Sequence, residues 1–264
     1  MSAVTEFRSF WQRRMQIPVA GNGLVLDVGS GDKPHWRADV LLDWLPGKDS
    51  AAQRSGYDQA RVTRPLFHGD AAAMPFADQV FDYVICSHLL EHVLDPAGVL
   101  DEMMRVAKAG YIEVPQAASA KIVDFPTHLW WVRLIDGVLD FEPKQARAFD
   151  PEIEDYLRRS GLETCIERVL DSRFEYRVVS LRWNHQIEYN VRGPVEQAML
   201  DQAATASVVH GDTTALVATA LTAAASTIDR RRHHRTVTFN EIVKPEMRVH
   251  DDHVLTPQIY RVES

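Results

Sequence analysis

The chain has 264 residues, 45% of them hydrophobic and 25% charged, with a formal net charge of -8. That is enough apolar material for a buried core and an ordinary charge density for a water-facing surface. The acidic balance excludes a broad nucleic-acid face, because neutralising phosphates needs clustered cations.

Only Cys86 and Cys165 are present, and Cys86 lies in an apolar run, so no structural disulfide and a reducing cytoplasm are expected. Residues 1–20 lack the apolar run of a secretory leader. The apolar stretch 213–228 falls short of the about 20 apolar residues that a bilayer span requires, so no membrane partner is expected.

In chain order, Phe7, Phe10, Trp11 and Met15 recur at helical spacing and predict a short amphipathic helix within 1–20, covering the main domain. Residues 24–28 read as a strand buried on both faces, and 38–43 as a second strand that ends in an acid. The interval between them is short for a parallel crossover, so its helix is expected to shrink to a turn around Pro34-His35-Trp36. Residues 48–62 are polar and read as a loop or short helix. Third and fourth strands are expected at 67–70 and 81–87.

Asp95-Pro96 is a helix start, Leu100, Met103, Met104 and Ala107 are that helix's apolar stripe, and Gly110 is its stop. A fifth strand at 111–114 is stopped by Pro115. Alternation of strands and helices to this point predicts an α/β fold, a doubly wound and mainly parallel sheet.

Beyond residue 115, Asp136-Gly137 between apolar runs predicts a hairpin. Residues 151–160 read as a helix ended by Gly161. Residues 175–180 and 186–191 read as an antiparallel pair turning at 182–185, and 237–243 as strand-like. Two alanine-rich helices are expected after Pro194. The basic run 230–235 suits a solvated helix end. The expected organisation is an N-terminal helix (1–20), a cofactor-binding core (21–120), a hairpin and strand region that completes the sheet (121–193), and a helical C-terminal extension (194–264).

The motif that carries chemistry is Val25-Leu26-Asp27-Val28-Gly29-Ser30-Gly31-Asp32-Lys33-Pro34. Two glycines after a buried strand bring the backbone close to a nucleotide-like ligand. A dinucleotide fingerprint would place its third glycine at Pro34, and proline cannot serve there. Four more segments follow in order: Asp43-Trp44; Gly69-Asp70-Ala71 with Met74-Pro75-Phe76; Phe81-Asp82-Tyr83-Val84 with Ser87-His88-Leu89-Leu90-Glu91-His92; and Tyr111-Ile112-Glu113-Val114-Pro115.

This ordered set resembles class I S-adenosylmethionine-dependent methyltransferases over residues 21–115, in the group whose fourth strand ends in a Leu-Glu-His turn. The resemblance implies that Gly29 and Gly31 admit the amino-acid part of the cofactor and that Asp27 acts on its ammonium. Asp43 would accept the ribose hydroxyls, Trp44 cover the adenine, and Asp70 and Ala71 hold its edge. Ser87 and His88 would face the methyl group.

A hydroxyl acceptor needs its proton removed, which makes His128, His88 and His92 the candidate catalytic residues, with Asp124 and Glu113 expected just past the fifth strand. His88-x-x-Glu91-His92 is similar to a Glu-x-x-Glu-His segment that holds a divalent metal in small-RNA and ubiquinone-pathway O-methyltransferases. A Mg²⁺ site with His128 as a further ligand is therefore an alternative.

The expected reaction is methyl transfer to a small acceptor, with a saccharide hydroxyl favoured. Trp130, Trp131 and Trp183 are the expected acceptor wall, with Arg133, Arg182, Asn184 and His185 between them. A phenolic or amine acceptor, a dinucleotide-dependent oxidoreductase and an inactive cofactor-binding partner remain alternatives. A homodimer through the C-terminal helices is also expected.

Overall fold

The computed structural model describes residues 18–19, 21–44, 59–146, 151–171, 174–205 and 235–262. The expected N-terminal helix, the polar segment around 48–58 and most of the alanine-rich extension lie outside the described residues.

The core is a seven-stranded sheet. Its strands are β1 (Val25–Val28), β2 (Val40–Asp43), β3 (Leu66–His68), β4 (Tyr83–Ser87), β5 (Ala109–Pro115), β8 (Val178–Asn184) and β10 (Ile259–Arg261), in the order β10-β3-β2-β1-β4-β5-β8. Every pairing is parallel except β5 with β8. The order reverses between β1 and β4. Open sheets of this kind bind ligands there, outside the carboxyl ends of the strands. A second sheet holds β6 (Trp130–Ile135), β7 (Val138–Pro143) and β9 (Tyr189–Val191), with β6 and β7 antiparallel. Asp136 and Gly137 both have positive φ at its hairpin turn, as that sequence predicts.

The crossover from β1 to β2 carries no helix. Polar contacts hold it instead: the His35 amide donates to Asp27 Oδ2 at 2.7 Å, and Arg37 donates to Asp39 at 2.8 Å and to the Gly23 carbonyl at 2.7 Å. Asp39 also accepts from the Val25 amide. His35, Trp36 and Arg37 are all buried. The short interval is bridged by a side-chain clamp.

Helix α1 (Pro96–Val106) is capped by Asp95 and buries Val99, Leu100, Met103 and Val106 against the sheet. It ends before Gly110, contrary to the sequence expectation. Gly110 lies inside β5, where an added Cβ would stand 2.5 Å from the Val84 carbonyl oxygen and 2.6 Å from Trp183 Nε1. Its missing side chain permits strand packing, not a helix stop.

The other helices are α2 (Ala117–Ile122), α3 (Pro151–Ser160), α4 (Leu162–Asp171), α5 (Phe174–Arg177), α6 (Gln197–Thr205) and α7 (Phe239–Ile242). Gly161, at φ 72°, ends α3 as expected.

Two further expectations fail. Residues 175–180 and 186–191 do not pair with each other. His185 turns the chain at positive φ, so β8 joins the main sheet and β9 joins the second. The strand expected at 237–243 is the short helix α7, and the strand in that region is β10. Tyr260 of β10 stacks on Phe67 at 5.3 Å, and Phe67 meets Phe76 edge-on at 5.0 Å. Burying such side chains contributes about 1.5–3 kcal/mol each, which fastens the C-terminal segment to the sheet edge.

Candidate active site

The glycine loop leaves β1 at the point where strand order reverses. Gly29 and Gly31 have φ of 70° and 52°, a region L side chains rarely adopt. A Cβ on Gly29 would also stand 2.9 Å from Leu89 Cδ1. The Gly29 amide donates to the Leu42 carbonyl at 2.8 Å, and the Gly31 amide to Asp43 Oδ2 at 2.8 Å. Ser30 Oγ is buried and has no protein partner among the described residues.

The two acids singled out in the sequence hold the loop itself: Asp27 fixes His35, and Asp43 fixes Gly31. Asp70 follows β3 and accepts from the Ala72 amide, with Ala71 buried beside it. Trp44 is 58% exposed, 5.9 Å from the His68 ring. Asp27, Gly29, Gly31, Asp43, Trp44, Asp70, Ala71, Ser87 and His88 thus lie at or just past the carboxyl ends of four neighbouring strands, β1 to β4.

The histidines sort by environment. His88, at φ 55°, is 42% exposed and sits between two buried glutamates, Nδ1 3.2 Å from Glu91 and Nε2 3.1 Å from Glu113. Burial alone would lower its pKa, but the hydrogen bonds and charges of Glu113 and Glu91 outweigh that and raise it to about 9. His128 is buried, 4.7 Å from the His92 ring and stacked on Phe125 at 5.1 Å. Burial, with the neighbouring His92, lowers it to about 3. His92 places Nδ1 3.2 Å from the Thr127 carbonyl, and burial lowers its pKa too. Glu91, although buried, is held down to about 2 by His88.

Glu113 does not follow the fifth strand; it lies within it. It accepts from Tyr111 at 2.7 Å and from Ser87 at 3.3 Å. Its pairing with His88 was not read from the sequence. A charged residue inside the apolar run Tyr111-Ile112-Glu113-Val114 was the available signal, since buried charges are paired. Ser30, a polar residue at the centre of the Gly-x-Gly turn, offers a similar signal.

Trp130, Trp131 and Trp183 form no wall. All three are buried, with Trp130 donating to the Val93 carbonyl and Trp131 lying under the Lys144 ammonium at 4.7 Å. Lys144 in turn pairs with Asp124 at 2.6 Å, both almost fully buried.

Residues 40–112, from β2 into β5, match a family profile described as a methyltransferase domain. With a sheet of this order and a glycine loop tied to an acid on β2, the chain carries a class I S-adenosylmethionine-dependent methyltransferase domain. It is 31% identical over 156 residues to a demethylmenaquinone methyltransferase of Roseiflexus castenholzii, covering 53% of this chain and 60% of that one. To the demethylmenaquinone methyltransferase of Shouchella clausii it is 48% identical over 112 residues, 39% of this chain and 48% of that one. The chain thus spans about half the length of the curated relatives it matches. Among solved structures it is similar to an S-adenosylmethionine dependent methyltransferase from Mesorhizobium loti, at 15% identity and TM-score 0.31 over 54% of this chain and 65% of that one. No helix among the described residues is long and apolar enough to cross a membrane.

Proposed function

We propose that the protein transfers a methyl group from S-adenosylmethionine to a hydroxyl of a small acceptor. The observation that carries this reading is the loop of Gly29, Ser30 and Gly31, held by Asp43 at the reversal of strand order, with a buried Ser30 hydroxyl that has no hydrogen-bond partner among the described residues. The cofactor supplies an electrophilic methyl on a sulfonium.

In this reading the loop amides and Ser30 receive the cofactor's amino-acid end. Asp43, with two acceptor oxygens, serves both Gly31 and the ribose. Asp27 acts through the loop it fixes. Asp70 and Ala71 hold the adenine edge, and Trp44 covers its face. Ser87 and His88 line the methyl position. Much of the acceleration comes from aligning the acceptor oxygen with the methyl carbon and excluding water.

Proton removal calls for a histidine that is neutral at the operating pH. A base works best with a pKa near the operating pH, and His128 lies well below it while His88 lies above. His92 keeps a neutral imidazole beside them, so it is the proposed base if a side chain takes the proton directly.

For the acceptor, an aromatic ring compound of the phenol or quinone class is the better-supported reading. The tryptophans that suggested a sugar platform are core residues, and the relatives are named for a quinone acceptor. A saccharide hydroxyl is the second reading, resting on composition. A cytoplasmic location and pairing of two chains through residues 194–264 belong to the same proposal.

Incubating the chain with methyl-tritiated cofactor and separate phenol, amine and saccharide panels tests it. Label is expected in the phenol arm. Label confined to the saccharide or amine arm would replace the acceptor, and cofactor binding with no labelled product in any arm would favour an inactive binding partner.

A further inference from the structure

We propose that Glu113, backed by Tyr111, is a positioning residue that orients His88 at the methyl-transfer centre. Two residues of β5 thereby set the geometry of the reaction from beneath it. This role rests on the methyl-transfer reading, in which Ser87 and His88 line the methyl position.

Strand register supplies the frame. Ser87 on β4, Glu113 on β5 and Ser180 on β8 are direct neighbours across the sheet, so their side chains stand in a row on one face. Tyr111, two residues earlier on β5, shares that face. The Glu113 side chain is buried. Its Oε1 lies 3.1 Å from His88 Nε2 and accepts from Ser87 Oγ at 3.3 Å, while Oε2 accepts from the Tyr111 hydroxyl at 2.7 Å. The Tyr111 oxygen is also 3.2 Å from Ser180 Oγ, which ties the group to β8. The His88 amide donates to the Glu113 carbonyl at 2.8 Å. Glu113 therefore grips His88 by backbone and ring together, and the tyrosine steadies the carboxylate.

The arrangement serves placement better than it serves stability. His88 has φ of 55°, a costly region for a residue with a Cβ, which persists only where the surroundings over-determine it. A carboxylate between the buried Ile112 and Val114 gives up its hydration. Buried ion pairs can often be exchanged for apolar residues of similar volume without loss of stability. An apolar side chain would fill this place in β5 but could not hold an imidazole plane.

Both His88 ring nitrogens face carboxylates, Nδ1 at 3.2 Å from Glu91 and Nε2 at 3.1 Å from Glu113. The ring is still 42% exposed, so it offers the reactants a surface of fixed orientation. In-line displacement depends on such a surface. Acceptor atom, methyl carbon and sulfur must align, and a misplacement of about 1 Å can cost about 10²-fold in rate.

The test uses the full chain with S-adenosylmethionine carrying a ¹³C-methyl label, whose bound NMR signal reports the surroundings of the methyl group. Each variant is also measured for S-adenosylhomocysteine affinity by calorimetry and for its midpoint in urea. Glu113→Leu should stay folded and move the bound methyl signal by more than its linewidth. Its S-adenosylhomocysteine affinity should stay within about twofold of wild type, because the glycine loop lies on other strands. Tyr111→Phe should move the signal by less, and Glu113→Gln, which keeps an oxygen acceptor, should restore most of the wild-type position. His88→Ala should reproduce the Glu113→Leu shift, and the double variant should add nothing to it, as expected of a residue that acts through another. An unmoved signal in Glu113→Leu, or a further full shift in the double variant, overturns the role and leaves the methyltransferase reading standing. Unfolding of Glu113→Leu with an unmoved signal in Tyr111→Phe assigns Glu113 to stability and overturns it as well. A wild-type chain with no bound methyl signal removes the methyltransferase reading and this role with it.

Discussion

Replacing Asp43 should uncouple the glycine loop from β2 and weaken cofactor binding. Its Oδ2 accepts the Gly31 amide at 2.8 Å, and Gly31 is held at positive φ. A hydrogen bond to a charged group contributes about 1.5–3 kcal/mol, which corresponds to roughly a 10- to 150-fold change in a dissociation constant. Asp43→Ala should lose affinity for S-adenosylhomocysteine within that range. Asp43→Asn keeps an amide oxygen for Gly31 but not the charge, so it should fall between wild type and Asp43→Ala. Calorimetry gives the dissociation constants, and thermal unfolding without ligand reports whether the chain is still folded. An Asp43→Ala protein that is fully folded and binds S-adenosylhomocysteine as wild type does would refute the role given to this residue.

Three other substitutions probe the frame. Gly110→Ala puts a Cβ against the Val84 carbonyl oxygen and Trp183, and should cost about 1–3 kcal/mol in urea unfolding; an unchanged midpoint would mean that β5 and β8 are not packed this way. Lys144→Met takes the ammonium away from the buried Asp124 carboxylate, at a cost of about 3–5 kcal/mol, much of which Lys144→Met/Asp124→Leu should recover. Additive losses in the double variant would show that the two do not interact. Asp140 is pushed up by burial but held below its ordinary value by Arg192, Asn190 and Arg133. A depressed carboxylate contributes stability that is present above its unfolded pKa of about 3.9 and is lost as pH falls through the folded value. Asp140→Asn should therefore lower stability at neutral pH and flatten its dependence on pH below about 4; equal acid-unfolding slopes in the two proteins would contradict that assignment.

The central sheet was legible because its signals are local. Val25-Leu26-Asp27-Val28 is an unbroken buried strand, two glycines follow within three residues, and Asp95-Pro96 caps the next helix. The short first crossover could be read from spacing alone, although the Asp27, Arg37 and Asp39 contacts that hold it could not. Failures fall where tertiary pairing decides. His185 at positive φ sends β8 and β9 to different sheets, a choice no periodicity encodes. β10 has three residues, too few for a pattern, and gains its place by stacking Tyr260 on Phe67. Tryptophans beside arginines looked like a sugar platform, but burial is a property of the fold and hides all three. Among the histidines, the sequence supplied the group and not the ordering. Glu113, far along the chain, sets His88 apart from His92 and His128.

The most direct test of the account is calorimetric titration of the wild-type chain with S-adenosylhomocysteine and, separately, with NAD. Saturable binding of one S-adenosylhomocysteine per chain and no heat from NAD is the predicted result. Saturable NAD binding with none for S-adenosylhomocysteine would contradict it.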